Sequence, residues 1–146
     1  MKTLQQPLPL SQPWSDRFRT PTADELLNCL PRTLRAATEA ARQRLASTGP
    51  LEEHLRWQGI WRWSFAYESA QSSGPEAYVI PDPRLPRICV PLDAAAVGRL
   101  FARPSPGFVR EVVERCAVVA GVRWATWDIE SKATVLELVD TLRSGL

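Results

Sequence analysis

The sequence predicts an α+β domain: a single mixed or antiparallel sheet of about four to five strands, with helices packed mainly on one face. Three observations favour this class. Apolar residues recur at helical spacing in several segments. Short runs rich in aromatic and β-branched residues lie between those segments, and turn residues separate the runs. With 146 residues, 45% of them hydrophobic, the chain is expected to form one domain with one core.

Residues 1–21 are predicted to be a proline-rich N-terminal arm that lies outside the domain, which spans residues 22–146. The arm contains four prolines among glutamines and leucines. Because proline fixes φ and removes a backbone donor, we expect the arm to be extended rather than regular. Trp14 and Phe18 are its candidate anchors to the domain.

The domain begins with a predicted helix. Thr22 and Glu25 have the spacing of a capping box, and leucine and alanine then recur at helical spacing. Pro31 either kinks this helix or starts a second one, and the Gly-Pro pair at 49–50 ends the helical region. Residues 51–57 are predicted to form a further short helical turn.

Residues 60–68 are predicted to form the first strand, and they carry the most distinctive pattern in the chain. Four aromatic residues alternate with smaller or polar ones: Trp61, Trp63, Phe65 and Tyr67. Since successive side chains of a strand point to opposite faces, all four rings are expected on one face. A turn rich in serine, glycine and proline then predicts a hairpin to a second strand at 76–81.

A third strand and two helices are predicted next. Residues 87–92 form the strand, and Asp93 caps a short helix. The Ser-Pro pair at 105–106 starts a longer helix, whose apolar stripe is expected to extend to Val119.

The last predicted elements are a fourth strand and a C-terminal helix. The strand covers residues 122–130. Trp124 and Trp127 are expected on opposite faces because they are three residues apart, an odd number. Ser131 has the position of an N-cap, and leucine and valine recur at helical spacing after it.

Composition argues against several classes of protein. Basic and acidic side chains number 18 and 16, so the net charge of +2 gives no argument for binding nucleic acid or a membrane surface. The sequence predicts neither a signal peptide nor a transmembrane helix. Three scattered cysteines, Cys29, Cys89 and Cys116, indicate free thiols in a reducing, cytoplasmic compartment.

Catalytic chemistry finds little support in the residues. His54 is the only histidine, and its polar Glu-Glu-His segment is typical of a protein surface. Asp128 and Glu130 share a face of the fourth predicted strand, where they either act as paired carboxylates or lie in solvent at the strand end. One histidine and scattered cysteines do not make a metal site. We therefore assign no catalytic residue, no metal and no cofactor, and expect a non-enzymatic protein.

Three segments of the chain resemble a known bacterial family. They are the tryptophan-rich segment Trp61–Tyr67, the apolar strand Ile88–Leu92 with two helices after it, and Gly121–Trp124, which leads into a strand and a capped helix. Over residues 22–146 the chain resembles the family called domain of unknown function 3788. That resemblance implies an α+β fold with no assigned activity, cofactor or catalytic residue. Residues 68–75 depart from the lysine- and glycine-rich hairpin usual in the family.

The aromatic stripe is the candidate binding site. Indole and phenol rings on a concave sheet face would hold an apolar or cationic small molecule, stacked bases or a partner's side chain. The expected site residues are Trp61, Trp63, Tyr67, Tyr78 and Trp124, with Arg62 and Arg123 nearby. Two alternatives stay open: the stripe is the core face under the helices, or it is an interface in a homodimer or with another protein. Nucleic-acid binding ranks below these.

Overall fold

The computed structural model describes residues 12–71 and 73–145. In chain order its helices are α1 Ala23–Asn28, α2 Arg32–Ala46, α3 Ala94–Phe101, α4 Gly107–Arg115 and α5 Lys132–Gly145. Its strands are β1 Glu52–Trp57, β2 Trp63–Glu68, β3 Ala77–Ile80, β4 Arg87–Leu92, β5 Val118–Val119 and β6 Val122–Asp128. Short 3-10 helices cover Pro13–Ser15 and Gly59–Trp61.

The described strands form one antiparallel sheet in the order β1-β2-β3-β4-β6-β5. The α+β class and the single sheet are therefore confirmed, while the sheet has more strands than the sequence predicts. Among the described residues, no helix has the length and apolar character needed to cross a membrane.

Local capping signals predict the helix starts correctly. Thr22 accepts a hydrogen bond from the Glu25 N–H, and the Glu25 carboxylate accepts one from the Thr22 N–H, which completes the capping box of α1. The side chains of Asp93 and Ser131 accept the N–H of the residue three positions later at the start of α3 and α5. Pro31 separates α1 from α2, so this proline starts a second helix and does not kink a single one.

The prediction of a helical turn at 51–57 is wrong, because Glu52–Trp57 is the edge strand β1. Its side chains alternate between exposed and half-buried, and it pairs along its length with β2. Leucine, glutamate and arginine have good helix propensity, so the residues of this segment alone favour a helix. Tertiary pairing overrides that propensity, and the strand adds one member to the sheet.

The first predicted strand starts later than expected. Residues Gly59–Trp61 form a 3-10 turn, and Arg62 has φ 54° and ψ −138°. Gln58 donates its N–H to the carbonyl of Arg62 at 2.8 Å, and the Ser64 hydroxyl donates to the carbonyl of Trp61 at 3.1 Å. These bonds close a compact connection between β1 and β2, so Trp61 does not belong to the strand.

The helix that begins after Pro106 is shorter than predicted. It ends at Arg115, and Val119 lies instead in the two-residue strand β5. Ala120 and Gly121 both have positive φ, 53° and 80°, as the tight turn of a two-residue hairpin requires. The Ala-Gly pair thus turns β5 back into β6.

Only one of the two candidate anchors in the N-terminal arm is in the core. Trp14 is buried, whereas Phe18 is 91% exposed. The arm is also held by the indole N–H of Trp63, which donates to the carbonyl of Asp16 at 2.7 Å. Residues 1–11 of the predicted arm lie outside the described residues.

Candidate functional site

The strand register defines two faces of the sheet. In an antiparallel pair, residues directly opposite each other share a face. Phe65 lies opposite Leu55 and Val79, so these residues define what we name the Phe65 face. Tyr78 lies opposite Ala66, which alternates with Phe65, and therefore belongs to the other, Tyr78 face.

Three of the four predicted aromatic residues lie in the core on the Phe65 face. Trp63, Phe65 and Tyr67 are 7%, 1% and 0% exposed. The guanidinium of Arg42 in α2 lies 4.2 Å from the centroid of the Phe65 ring. The Tyr67 hydroxyl donates to Glu53 Oε2 at 2.6 Å. Trp63 and Tyr67 therefore pack in the interior, on the face of the sheet away from Tyr78.

Trp61 lies on the opposite side of the sheet from these three rings. Its ring packs edge-on against Tyr78, with centroids 5.2 Å apart, and against Trp124, with centroids 6.2 Å apart. Trp124 is on the Tyr78 face because it lies opposite Pro91, two residues from Cys89, which pairs with Tyr78. The expectation that all four rings of the stripe share one face is thus wrong at Trp61, because the connection between β1 and β2 places its ring on the other face.

These three rings line a cavity that we name the aromatic cavity. Its volume is about 390 Å³, and its lining comprises Gln58, Ile60, Trp61, Tyr78 and Trp124. The carboxamide of Gln58 and the hydroxyl of Tyr78 are its side-chain hydrogen-bonding groups besides the indole N–H groups. The structure therefore brings together Trp61, Tyr78 and Trp124 from the predicted site.

The two predicted arginines do not line the aromatic cavity. The Arg62 guanidinium lies 5.6 Å from the centroid of the Trp14 ring. Arg123 donates from Nη1 to the carbonyl of Val113 at 3.1 Å, which ties β6 to α4. Since the lining contains no charged side chain, the cavity favours uncharged groups.

Burial is the main reason that Tyr78 stays a neutral phenol. Burial, followed by the proximity of Cys89 and Glu68, raises the pKa of Tyr78 above its ordinary value. The charge of Glu68 is paired with Arg56, whose Nε lies 2.6 Å from Glu68 Oε2. Tyr78 therefore has a hydroxyl that both donates and accepts at neutral pH.

The residues considered for catalysis lie apart from the cavity. His54 is exposed on β1, with Nε2 at 3.5 Å from Glu52 Oε1. Asp128 and Glu130 are both exposed near the end of β6. Within the described residues, no group of histidine, cysteine and carboxylate side chains is arranged to hold a metal ion.

Sequence reasoning missed Gln58 and Ile60. Both precede the aromatic pattern, in the connection between β1 and β2, and Ile60 is 91% exposed. Gly59 has φ 63°, and this glycine, two residues before Trp61, is the one local signal of a turn there.

Searches against protein-family models, curated proteins and solved structures find no match. The resemblance to the family named above therefore stays a prediction.

Proposed function

We propose that this protein is a non-enzymatic binding module that holds an uncharged, planar, ring-containing small molecule in the aromatic cavity. The observation that supports this proposal is the lining itself: three aromatic rings and a carboxamide around about 390 Å³, without a charged side chain. Small-molecule sites in proteins commonly combine such an apolar surface with a few polar groups.

The ring geometry favours a flat ligand. Trp61 makes interplanar angles of 63° with Tyr78 and 61° with Trp124, so its ring faces a different direction from each of the other two. A planar ligand can stack on one ring while its edge meets another, an arrangement that aromatic quadrupoles favour. The carboxamide of Gln58 offers both a donor and an acceptor to a heteroatom on the ligand.

The test uses the indole N–H resonances of the tryptophans, followed by NMR during titration with quinoline. We expect quinoline to shift the resonances of Trp61 and Trp124 saturably, with a dissociation constant of about 1 mM or below. The Trp124→Ala variant should weaken binding by about tenfold or more. Trp57→Ala is the matched control, because Trp57 packs against Trp63 on the Phe65 face.

The outcomes of this titration are distinct. Failure of quinoline to cause saturable shifts, or equal weakening by the Trp57 and Trp124 variants, would remove the proposal. N-methylquinolinium has nearly the same shape but carries a positive charge. Tighter binding of that cation would replace the uncharged ligand class by a cationic one, held through cation–π contacts.

Self-association or partner binding through the same face is a second candidate, and exposed apolar side chains beside the cavity favour it. Ile60 is 91% exposed and Val119 is 59% exposed. Val119 pairs with Val122, two residues before Trp124, so these valines extend the apolar surface of the Tyr78 face. Light scattering should then detect a dimer that Ile60→Asp disrupts and Leu85→Asp does not; a monomer at every concentration contradicts this candidate.

We propose the cytoplasm as the compartment, with the cysteines as support. Cys29, Cys89 and Cys116 are all free thiols. Burial is the main cause that raises the pKa of Cys29 and of Cys89. Free cysteines are typical of proteins kept in a reducing environment.

A further inference from the structure

We propose that the outer edge of β6 is a docking site for an extended, basic segment of a partner protein, which lies as an added strand between α4 and α5. This inference does not require a ligand in the aromatic cavity. It rests on the backbone of β6, on the groove beside it and on the charges along that groove.

The backbone of β6 presents hydrogen-bonding groups at this edge. Trp124 donates its N–H to the carbonyl of Ala117 at 3.2 Å, on the side of β6 away from β4. In an antiparallel ladder, alternate residues direct their N–H and C=O groups to the same side. Thr126 and Asp128 therefore direct theirs outward as well.

The neighbouring strand stops before it reaches these groups. β5 pairs only through Val118 and Val119, and α4 ends at Arg115, two residues before Ala117. In the part of the chain that the structure describes, no strand pairs with the outer side of Thr126 or Asp128. An edge with free N–H and C=O groups is a template for an added strand.

A groove follows this edge. Two cavities, of about 360 and 450 Å³, share Glu111 and Val112 of α4 and Thr126 of β6 in their linings. The larger one continues to Val135 and Leu138 of α5. The groove beside β6 thus has residues of both α4 and α5 in its lining, with polar and apolar side chains mixed.

The walls favour a single extended segment over a second copy of this chain. Neighbouring strands lie about 4.8 Å apart, so an added strand lies directly beside β6. A second copy would bring its own α4 and α5 to the same edge, where they would meet the walls of the groove. An extended segment carries no such flanking helices.

The charges define the chemistry of the partner. Glu111, Asp128 and Glu130 line the larger cavity, where Asp128 and Glu130 are exposed. Arg115 is the one basic residue in the linings of the two cavities, and it lines only the smaller one. Since side chains of an added strand alternate, we expect apolar residues that contact Val135 and Leu138 to alternate with lysine or arginine near the carboxylates.

The test selects random linear peptides of about ten residues, displayed on phage, against the full chain. We expect enrichment of sequences that alternate apolar and basic residues. In the free protein, the amides of Thr126 and Asp128 should exchange hydrogen faster than those of Ala125 and Trp127, which face β4. A synthetic copy of the selected peptide should slow exchange at Thr126 and Asp128.

Two variants separate the edge from the rest of the groove. Thr126→Pro removes the outward N–H without removing a bond to β4, and it should weaken peptide binding by about tenfold or more. Thr126→Val keeps the N–H and the β-branched shape, so it should bind as the natural chain does. If Thr126→Pro does not fold, two versions of the peptide, N-methylated at one or the other set of alternate amides, replace it. Only the version whose methylated amides face β6 should lose binding.

Several results would overturn the proposal. One is the absence of any enriched peptide, and another is protection of the Thr126 amide from exchange in the free protein. Equal peptide binding by the proline and valine variants, or an equal loss of binding for the two N-methylated peptides, would also contradict it.

Discussion

The ring of Trp61 packs edge-on against Tyr78, with centroids 5.2 Å apart, while Trp63, two residues later, is buried on the other side of the sheet. A continuous strand would place both tryptophans on one face. The reversal occurs at Arg62, whose φ is 54° and ψ is −138°. The conformation of this one residue therefore separates the core tryptophan from the tryptophan of the cavity.

We expect glycine to be favoured over alanine at position 62. A non-glycine residue with this positive φ is strained, and glycine removes the strain. Arg62→Ala loses the contact with the Trp14 ring but keeps a Cβ, so it controls for the loss of the guanidinium. The Arg62→Gly variant should exceed Arg62→Ala in free energy of unfolding by about 1 kcal/mol, measured by urea denaturation. Equal stabilities would show that the backbone at 62 is relaxed.

Signals within a few residues predict much of the fold. The caps at Thr22, Asp93 and Ser131 depend on one side chain and a nearby N–H, so the sequence alone indicates them. The face on which Trp61 lies depends on a positive φ at a non-glycine residue, for which the pattern of side chains gives no sign. The sequence thus identifies the three aromatic residues of the cavity as site candidates. It does not show that Trp63 and Tyr67 lie on the other face of the sheet.

The same distinction explains the error at β1. Leu55 and Trp57 alternate with His54 and Arg56, but Glu52 and Glu53 are both acidic, so the alternating pattern covers only four residues. Local helix propensity competes with that alternation, and the pairing partner, which decides the outcome, lies in the next segment of the chain.

Arg42 is expected to be important for stability. Its guanidinium donates to both carboxylate oxygens of Glu53, at 2.7 and 3.0 Å, and lies over the Phe65 ring. The side chain of Arg42 is only 14% exposed. Arg42→Met keeps much of the apolar stem but leaves Glu53 without its counter-ion, so we expect a loss of about 3 kcal/mol in the free energy of unfolding.

Arg44→Met is the control for that measurement. Arg44 lies on the same helix and pairs with Asp140 of α5, but both side chains are considerably more exposed. Exposed ion pairs contribute little, so the loss should be below about 1 kcal/mol. Similar losses for the two variants would contradict the importance assigned to the partly buried pair.

The two aromatic residues of the N-terminal arm should differ sharply on substitution. Trp14 is buried, so Trp14→Ala should lower the free energy of unfolding by about 3 kcal/mol through lost packing. Phe18 is 91% exposed, so Phe18→Ala should change it by less than about 0.5 kcal/mol. Thermal or urea unfolding measures both, and a Phe18 effect as large as that of Trp14 would mean that the arm packs differently.

Stability should fall in alkaline solution, in part because of Cys89. Burial is the main cause that raises the pKa of this thiol from 9.0 to about 11, so the folded protein retains the proton over a range in which the unfolded chain releases it. Because the folded state then binds more protons than the unfolded state, the free energy of unfolding decreases as pH rises from 9.0 to about 11. The contribution of Cys89 is full below this range and amounts to about 3 kcal/mol. Urea denaturation at several pH values should show a shallower decline for Cys89→Ala, even if the variant is less stable overall at neutral pH, and an unchanged slope would show that Cys89 does not remain protonated in the folded protein.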